Sequence, residues 1–424
     1  MKAQYKQLPN GLRMIVVPMK DNPTVTVMTL VAAGSKYEDK EINGLSHFLE
    51  HMCFKGTTAR PHGIDISREL DGLGAESNAF TGQEYTGYYA KGRAQHASRL
   101  LEIIADVYLH STFPAEELEK ERGVILDEIN MYEDMPMRKV HHLLGALLYG
   151  DQPAGWTILG TRENIKKMNR DAFVQYHRDH YVASSTVIVV AGNVEPKTIF
   201  ADIQKRFAHI ATSRKKSKKK VVEKQKDPQL ALEYKKTDQT HLVLAFRTVG
   251  RMHKDAAALH VLAGILGQGM SSRLFERLRE KMGVGYYVRA YHDMSTDHGA
   301  LEIATGVTHT RIHEVVRAII EECRRMIDEP VSEAELKKTK EYIIGSMQMG
   351  IESSDDIAQF YGFQQLLDAT MDTPSQKIAH IKAITSKDIT RVARKYLTAA
   401  RANLAMIGPM KKGDTFIEMM KDLG

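Results

Sequence analysis

The feature that most restricts what this chain can become is that it repeats itself. In DAFVQYHRDHYVASSTVIVVAGNV an amphipathic helix pattern leads through Tyr181 into an apolar strand pattern, and KDITRVARKYLTAARANLAMIGPM repeats that order around Tyr396, 215 residues later. Upstream, LSHFLEH aligns with ALHVLAG at an offset of 213, each after a strand-like segment, VTVMTLVAAG and THLVLAFRTVG. Two such similar offsets imply a duplicated unit, so the 424 residues are divided between two related domains and not spent on one core. Each copy mixes strand-like stretches, such as AESNAFTGQEYTGYYAKG and YYVRAYHDMSTDHGALEIATGV, with long amphipathic helical patterns. The expected class is α+β: two homologous α/β domains, 1–212 and 229–424, with mostly antiparallel sheets and packed helices. Between them the run Arg214 to Lys220, followed by EKQKDPQ, has neither helical nor strand periodicity and reads as a solvated basic linker over 213–228. A partner-docking or polyanion site is the alternative reading of that run.

The two copies are unequal. His47 pairs with His260, whereas Glu50 and His51 fall opposite Ala263 and Gly264, so only the first copy carries metal-binding chemistry. In GLSHFLEHMCFKG the apolar Leu45, Phe48, Leu49, Met52 and Cys53 share one helical face, which leaves His47, Glu50 and His51 on the other. Two His one turn apart can both reach a Zn2+ at about 2.0–2.1 Å, with the Glu between them pointing into the same space. This is the inverted zincin pattern. A catalytic zinc needs a third protein ligand and an open position. STFPAEELEKERGVILDEINMYEDMP reads as a helix opened by Ser111 or Thr112 near Pro114, with Glu121, Ile125, Glu128 and Tyr132 along one stripe. Carboxylates on a stripe that faces a core are costly unless a cation or hydrogen-bond donors satisfy them, which favours roles at or beside a metal.

Composition narrows the setting. Charged residues at 26% and hydrophobic ones at 43% are those of a folded globular protein. No apolar run approaches the roughly 18 residues of a membrane span and no signal-type segment opens the chain, so the expectation is a cytoplasmic protein with no membrane span. Two cysteines, Cys53 and Cys323, make neither a disulfide framework nor a zinc ribbon, so any metal must come from His and carboxylates. The net charge of +6 is concentrated in the 214–220 run, which has no interleaved aromatics, and no nucleic-acid partner is expected.

HFLEHMCFKGT, ESNAFTGQEYTGYYAK, ERGVILDEINMYEDMP and GWTILGTRENI, in that order and at compatible spacing, closely resemble the pitrilysin-type zinc metallopeptidases, the inverzincins. Within that family the chain is most similar to the short-chain group of bacterial processing-type peptidases and the mitochondrial processing peptidase β subunit. The resemblance implies that His47, His51 and Glu128 hold one Zn2+ per chain, that Glu50 is the general base, and that Glu121 stands behind the ligands. It places Asn78 near the metal helix and makes Ala79, Phe80 and Thr81 the edge strand on which substrate is laid. In SSRLFERLREKMGVGYYV it implies that Arg279 and Tyr286 reach the substrate, with Phe275 one turn before the Arg. From the residues alone that segment is a helix ending at Gly283 before a strand. Many relatives have Arg-Glu or Glu-Glu where this chain has Asp127-Glu128, which makes Asp127 a competing ligand, but helix geometry turns it about 100° from Glu128. The implied activity is endoproteolysis of unstructured peptides or presequence-like segments, by a homodimer or a heterodimer with a related chain that closes a chamber. A catalytically silent structural or regulatory subunit of a heteromeric peptidase is the rival reading.

Overall fold

The strand-like segments assemble into two separate sheets in a computed structural model that describes residues 2–423. The first contains β1 (Gln4–Gln7), β2 (Arg13–Pro18), β3 (Thr24–Val31), β4 (Glu76–Thr81), β5 (Thr86–Arg93) and β6 (Thr186–Gly192), in the order β1-β2-β6-β3-β5-β4. The second contains β7 (Gln229–Tyr234), β8 (Thr240–Thr248), β9 (Tyr287–Met294), β10 (Gly299–Val307) and β11 (Ala402–Gly408), in the order β7-β11-β8-β10-β9. With β1 set aside the two orders coincide strand for strand, and each sheet has a single parallel pair, β2 with β6 and β7 with β11. The duplicated, mostly antiparallel α+β architecture read from the sequence is what the chain forms.

Central strands such as β6 (TVIVVAG) and β11 (ANLAMIG) are buried at every residue, because helices cover both faces of each sheet. On the first sheet, one face packs against helices Ala97–Leu109 and Pro196–Arg206. The other packs Met28, Leu30, Val187 and Val189 against Ile357, Ala358 and Tyr361 of helix Ser354–Phe363. On the second sheet, helix Pro136–Tyr149 lays Val140, Leu144 and Leu148 over Val243, Ala245, Ala405 and Ile407, while helices Ala256–Gly267, Ile312–Asp328 and Ser386–Tyr396 build the opposite core. One cover helix of each sheet therefore comes from the other half of the sequence. The compact units are accordingly 2–130 with 156–219 and 349–372, and 131–155 with 220–348 and 373–423.

One of the passages between the two units lies between Lys219 and Lys220, in a stretch without regular structure. The basic run is not uniformly solvated: Lys218 is mostly buried and its ammonium sits 2.9 Å from the buried carboxylate of Glu84, while Lys219 pairs with Asp39 at 2.7 Å. Among the described residues no helix is long and apolar enough to cross a membrane.

In the second unit Asp255 is wholly buried at the start of helix Ala256–Gly267, where Arg391 (2.6 Å), Lys395 (2.9 Å) and the Tyr396 hydroxyl (2.8 Å) all reach its carboxylate. Burial alone would raise its pKa, but these donors hold it well below the usual carboxylate range. A depressed native pKa stabilises the fold above the unfolded value, about 3.9, and that stabilisation fades as pH falls further. Asp255→Asn is expected to cost about 1–3 kcal/mol at pH 7, with the gap from wild type shrinking toward pH 3 in urea unfolding. In the first unit, a Cβ on Gly362 would stand 2.7 Å from Leu30 Cδ1 and 3.1 Å from Val189 Cγ2. Gly362→Leu should lift its helix from the sheet at a cost of about 1–3 kcal/mol, lowering the thermal midpoint. An unchanged midpoint would contradict the seating of that helix.

Candidate metal centre

Helix Leu45–Cys53 begins from the apolar face read in the sequence. Phe48, Leu49, Met52 and Cys53 are fully buried, with Phe48 edge-on to Phe173 at 4.9 Å between ring centroids. The opposite face is nearly as enclosed, since His47 is 8% and Glu50 9% exposed. That face meets β4 through Thr81 and helix Ala115–Asp134 through Glu121 and Glu128, the latter helix burying Leu118, Glu121, Ile125 and Ile129. Glu128 is half-buried beside them.

The two helices bring the expected groups together. His47 Nε2 lies 3.5 Å and His51 Nε2 3.9 Å from Glu128 Oε2. Ligand atoms of these three residues all fall within 4.8 Å of one another, the one such group of His, Cys, Asp and Glu among the described residues. Ligands of a tetrahedral zinc at 2.0–2.1 Å would be separated by about 3.3 Å, so the His47–Glu128 spacing is already close to that and the wider pairs would have to draw in by up to about 1.5 Å. On the far side of His51, Nδ1 is 3.1 Å from Glu121 Oε2, and Glu121 Oε1 is 2.6 Å from Lys55 Nζ. With the Nδ1 proton donated to Glu121, the lone pair is left on Nε2, facing Glu128.

The electrostatics fit a cation. Burial, reinforced by the neighbouring His51, pushes the His47 imidazole down to about 3, which keeps it neutral and able to ligate. Burial would also lower His51, but the Glu121 hydrogen bond and the charges of Glu50, Glu121 and Glu128 raise it instead. Burial raises both Glu50 and Glu128. Two carboxylates beside two imidazoles in a partly dehydrated cleft is a costly arrangement that one divalent ion would relieve, and two His with one Glu suit zinc.

Glu50 Oε2 accepts a hydrogen bond from the hydroxyl of Thr81 on β4, the edge strand of the first sheet. Beside this contact lies a cleft of about 250 Å³, lined by Glu50, His51, Lys55, Ser77, Ala79 and Glu121 among others. Asn78 also borders it, with its side-chain oxygen accepting from the Ala79 N–H at 2.9 Å. Side chains alternate along a strand, so Thr81 meets Glu50 whereas Phe80 points to the opposite face and packs with Tyr85, Tyr89 and Phe363. Phe275, Arg279 and Tyr286 belong to the second unit. There Phe275 opens a π-helical turn, Arg279 donates to the Gly285 carbonyl at 3.0 Å, and Tyr286 is 68% exposed. Gly283, with φ +63, ends the turn where expected. Sequence reasoning missed Lys55 as the partner of Glu121 and Thr81 as the partner of Glu50; in each case the contact joins segments that no local periodicity relates.

Comparison with known proteins gives the family of the chain. Residues 13–162 match the family described as Insulinase (Peptidase family M16), and residues 167–343 match its companion, the Peptidase M16 inactive domain. An uncharacterized zinc protease of Bacillus subtilis is 37% identical over 404 residues, 94% of this chain and 97% of that protein. The chain belongs to the M16 peptidase family. An uncharacterized zinc protease of Streptomyces coelicolor is 30% identical over 95% of this chain and 89% of its own length. The fold is shared with a protease from Helicobacter pylori (TM-score 0.88, 22% identity, 96% of this chain and 99% of that one). It is shared too with a Pseudomonas fluorescens structure titled as a peptidase M16 inactive domain (TM-score 0.89, 20% identity, 97% and 99%). The pitrilysin-type resemblance is thereby borne out.

If Glu121 sets the His51 tautomer, Glu121→Gln should weaken zinc binding about 10–100-fold in a chromophoric chelator competition. Affinity equal to wild type would remove Glu121 from the centre.

Proposed function

We propose that this M16 chain is a zinc endopeptidase that holds one Zn2+ per chain on His47, His51 and Glu128 and uses Glu50 as general base. The observation that carries the proposal is the convergence of those three ligand groups beside a buried, hydrogen-bonded Glu50. Zinc held there supplies a Lewis acid for the scissile carbonyl and an activated water. Glu50 takes a proton from the attacking water as its oxygen bonds to the carbonyl carbon, then delivers it to the departing amine as the C–N bond breaks. Burial raises its carboxyl and so strengthens it as a base, while the Thr81 hydroxyl fixes its rotamer.

The free edge of β4 sets the substrate class. An extended peptide can add to that edge by main-chain hydrogen bonds, with Ala79 on the cleft wall and Asn78 at its border, so unstructured or presequence-like segments are preferred over folded proteins. The role of Phe80 in this scheme is to anchor the strand from behind. Arg279 and Tyr286, with Phe275 behind them, complete the proposal as donors to substrate and oxyanion, supported by the family resemblance and by the exposure of Tyr286. A dimer, with a second copy or a related chain, closing a chamber over the site rests on the same resemblance. A cytoplasmic setting is supported by Cys53 and Cys323, both buried free thiols.

Glu50→Gln should keep stoichiometric zinc yet lose about 10²–10⁴ in kcat on a quenched unstructured peptide. Unchanged turnover in both Tyr286→Phe and Arg279→Ala would exclude those two from the reaction. Wild type that holds zinc but cuts no member of a broad peptide library, alone or with a related chain, would favour the silent-subunit reading.

A further inference from the structure

Helix Leu45–Cys53 carries His47, Glu50 and His51, yet it has only nine residues, too few to hold a helical shape alone. Its N-cap is Gly44, at φ +102, which has no side chain to satisfy the free amides of the first turn. Glu38, six residues earlier, takes over that role. Its Oε1 accepts from the Ser46 N–H at 2.6 Å, and its Oε2 from the Gly44 N–H at 2.9 Å and Asn43 Nδ2 at 3.0 Å. The residue is 2% exposed, so its carboxylate is screened little by water where it meets the positive end of the helix.

The groups around Glu38 are held in turn. Asn43 Nδ2 also donates to the Thr157 carbonyl at 3.0 Å, and the Ser46 hydroxyl shares a 2.8 Å hydrogen bond with that of Tyr176. Ser46 immediately precedes His47. At the far end, the Ser111 hydroxyl donates to the Cys53 carbonyl at 2.9 Å. The duplicated helix supplies an internal comparison. Ala256–Gly267 also begins at a buried carboxylate, but Asp255 is occupied by Arg391, Lys395 and Tyr396 and makes no side-chain bond to the helix amides. A carboxylate turned onto the amides is found in the copy that carries the metal group.

We propose that Glu38 is a positioning residue of the metal centre: its bonds to the Ser46 and Gly44 amides fix the rotation and axial placement of the helix that presents His47, Glu50 and His51. This rests on the reading of His47, His51 and Glu128 as zinc ligands. Glu38 touches neither ligand nor substrate, and acts through the helix. A ligand set works only within about 0.5 Å of its productive geometry, so a small slip of a single-turn ligand pair is enough to weaken it. Glu38→Gln tests this sharply, because the new amide nitrogen turns an acceptor into a donor facing N–H groups.

The experiment compares full-length Glu38→Gln and Glu38→Asp with Gly362→Leu, which strains the same unit on the sheet face opposite Thr81 and Glu50. Zinc affinity is measured by chelator competition, geometry by the d–d absorption of the Co2+-loaded protein, and stability by unfolding of the metal-free protein. Glu38→Gln is expected to bind zinc at least about tenfold more weakly and to shift the Co2+ bands. Its kcat on the quenched peptide should fall with KM unchanged, and Glu38→Asp, which keeps a carboxyl group, should recover part of each loss. Gly362→Leu should lose stability while keeping wild-type affinity and bands. Wild-type affinity and bands in Glu38→Gln, or a loss no greater than that of Gly362→Leu, would overturn the proposal while leaving the metal reading standing. A wild-type protein that binds neither zinc nor Co2+ would overturn both.

Discussion

The hydrogen bond from His51 Nδ1 to Glu121 ties together the two helices that carry His47, His51 and Glu128. Apolar stripes on the Leu45–Cys53 and Ala115–Asp134 helices bring the pair together, but hydrophobic contact is non-directional and leaves rotation and register loosely set. A polar contact between two poorly solvated groups tolerates no such slack, because a missed bond there leaves both unsatisfied. It selects which ring nitrogen of His51 faces Glu128. Burial would raise the Glu121 carboxyl, but the hydrogen bonds from His51 and Lys55 hold it below its ordinary value.

The second copy shows what this fold does without that contact. The place of His51 is taken by Gly264, and Thr339 sits so close that a Cβ on Gly264 would be 2.8 Å from its Cγ2. Thr339 lies on helix Glu333–Met349, whose buried Leu336, Thr339 and Ile343 have the spacing of Leu118, Glu121 and Ile125 in the first copy. On that alignment Glu121 corresponds to Thr339 and Glu128 to Ser346. Small and uncharged residues let the two helices close directly on each other, filling with packed atoms the space that the first copy keeps polar. One scaffold thus serves once as a site and once as a core.

Much of this was legible in the chain because it is encoded at short range. The offsets of 213 and 215 announced the duplication, the 3.6-residue period put His47, Glu50 and His51 on one face, and the Glu121–Glu128 stripe marked a helix with charge turned inward. The family resemblance placed β4 at a sheet edge. What escaped depends on partners distant in sequence. Periodicity states that helices Pro136–Tyr149 and Ser354–Phe363 have apolar faces but not which sheet receives them, so their exchange between units was invisible. The enclosure of both faces of Leu45–Cys53 and the docking of Lys218 on Glu84 were hidden for the same reason.

That exchange has a consequence for the order in which the protein can be completed as it leaves the ribosome. The last strand of the first sheet ends at Gly192, whereas the helix that covers its second face ends at Phe363. At roughly 5–20 residues per second, an apolar sheet face waits on the order of ten to thirty seconds for its cover. During that interval the nascent first half exposes the kind of surface that chaperones bind, and a release of the chain at the linker would leave each half with one bare sheet face.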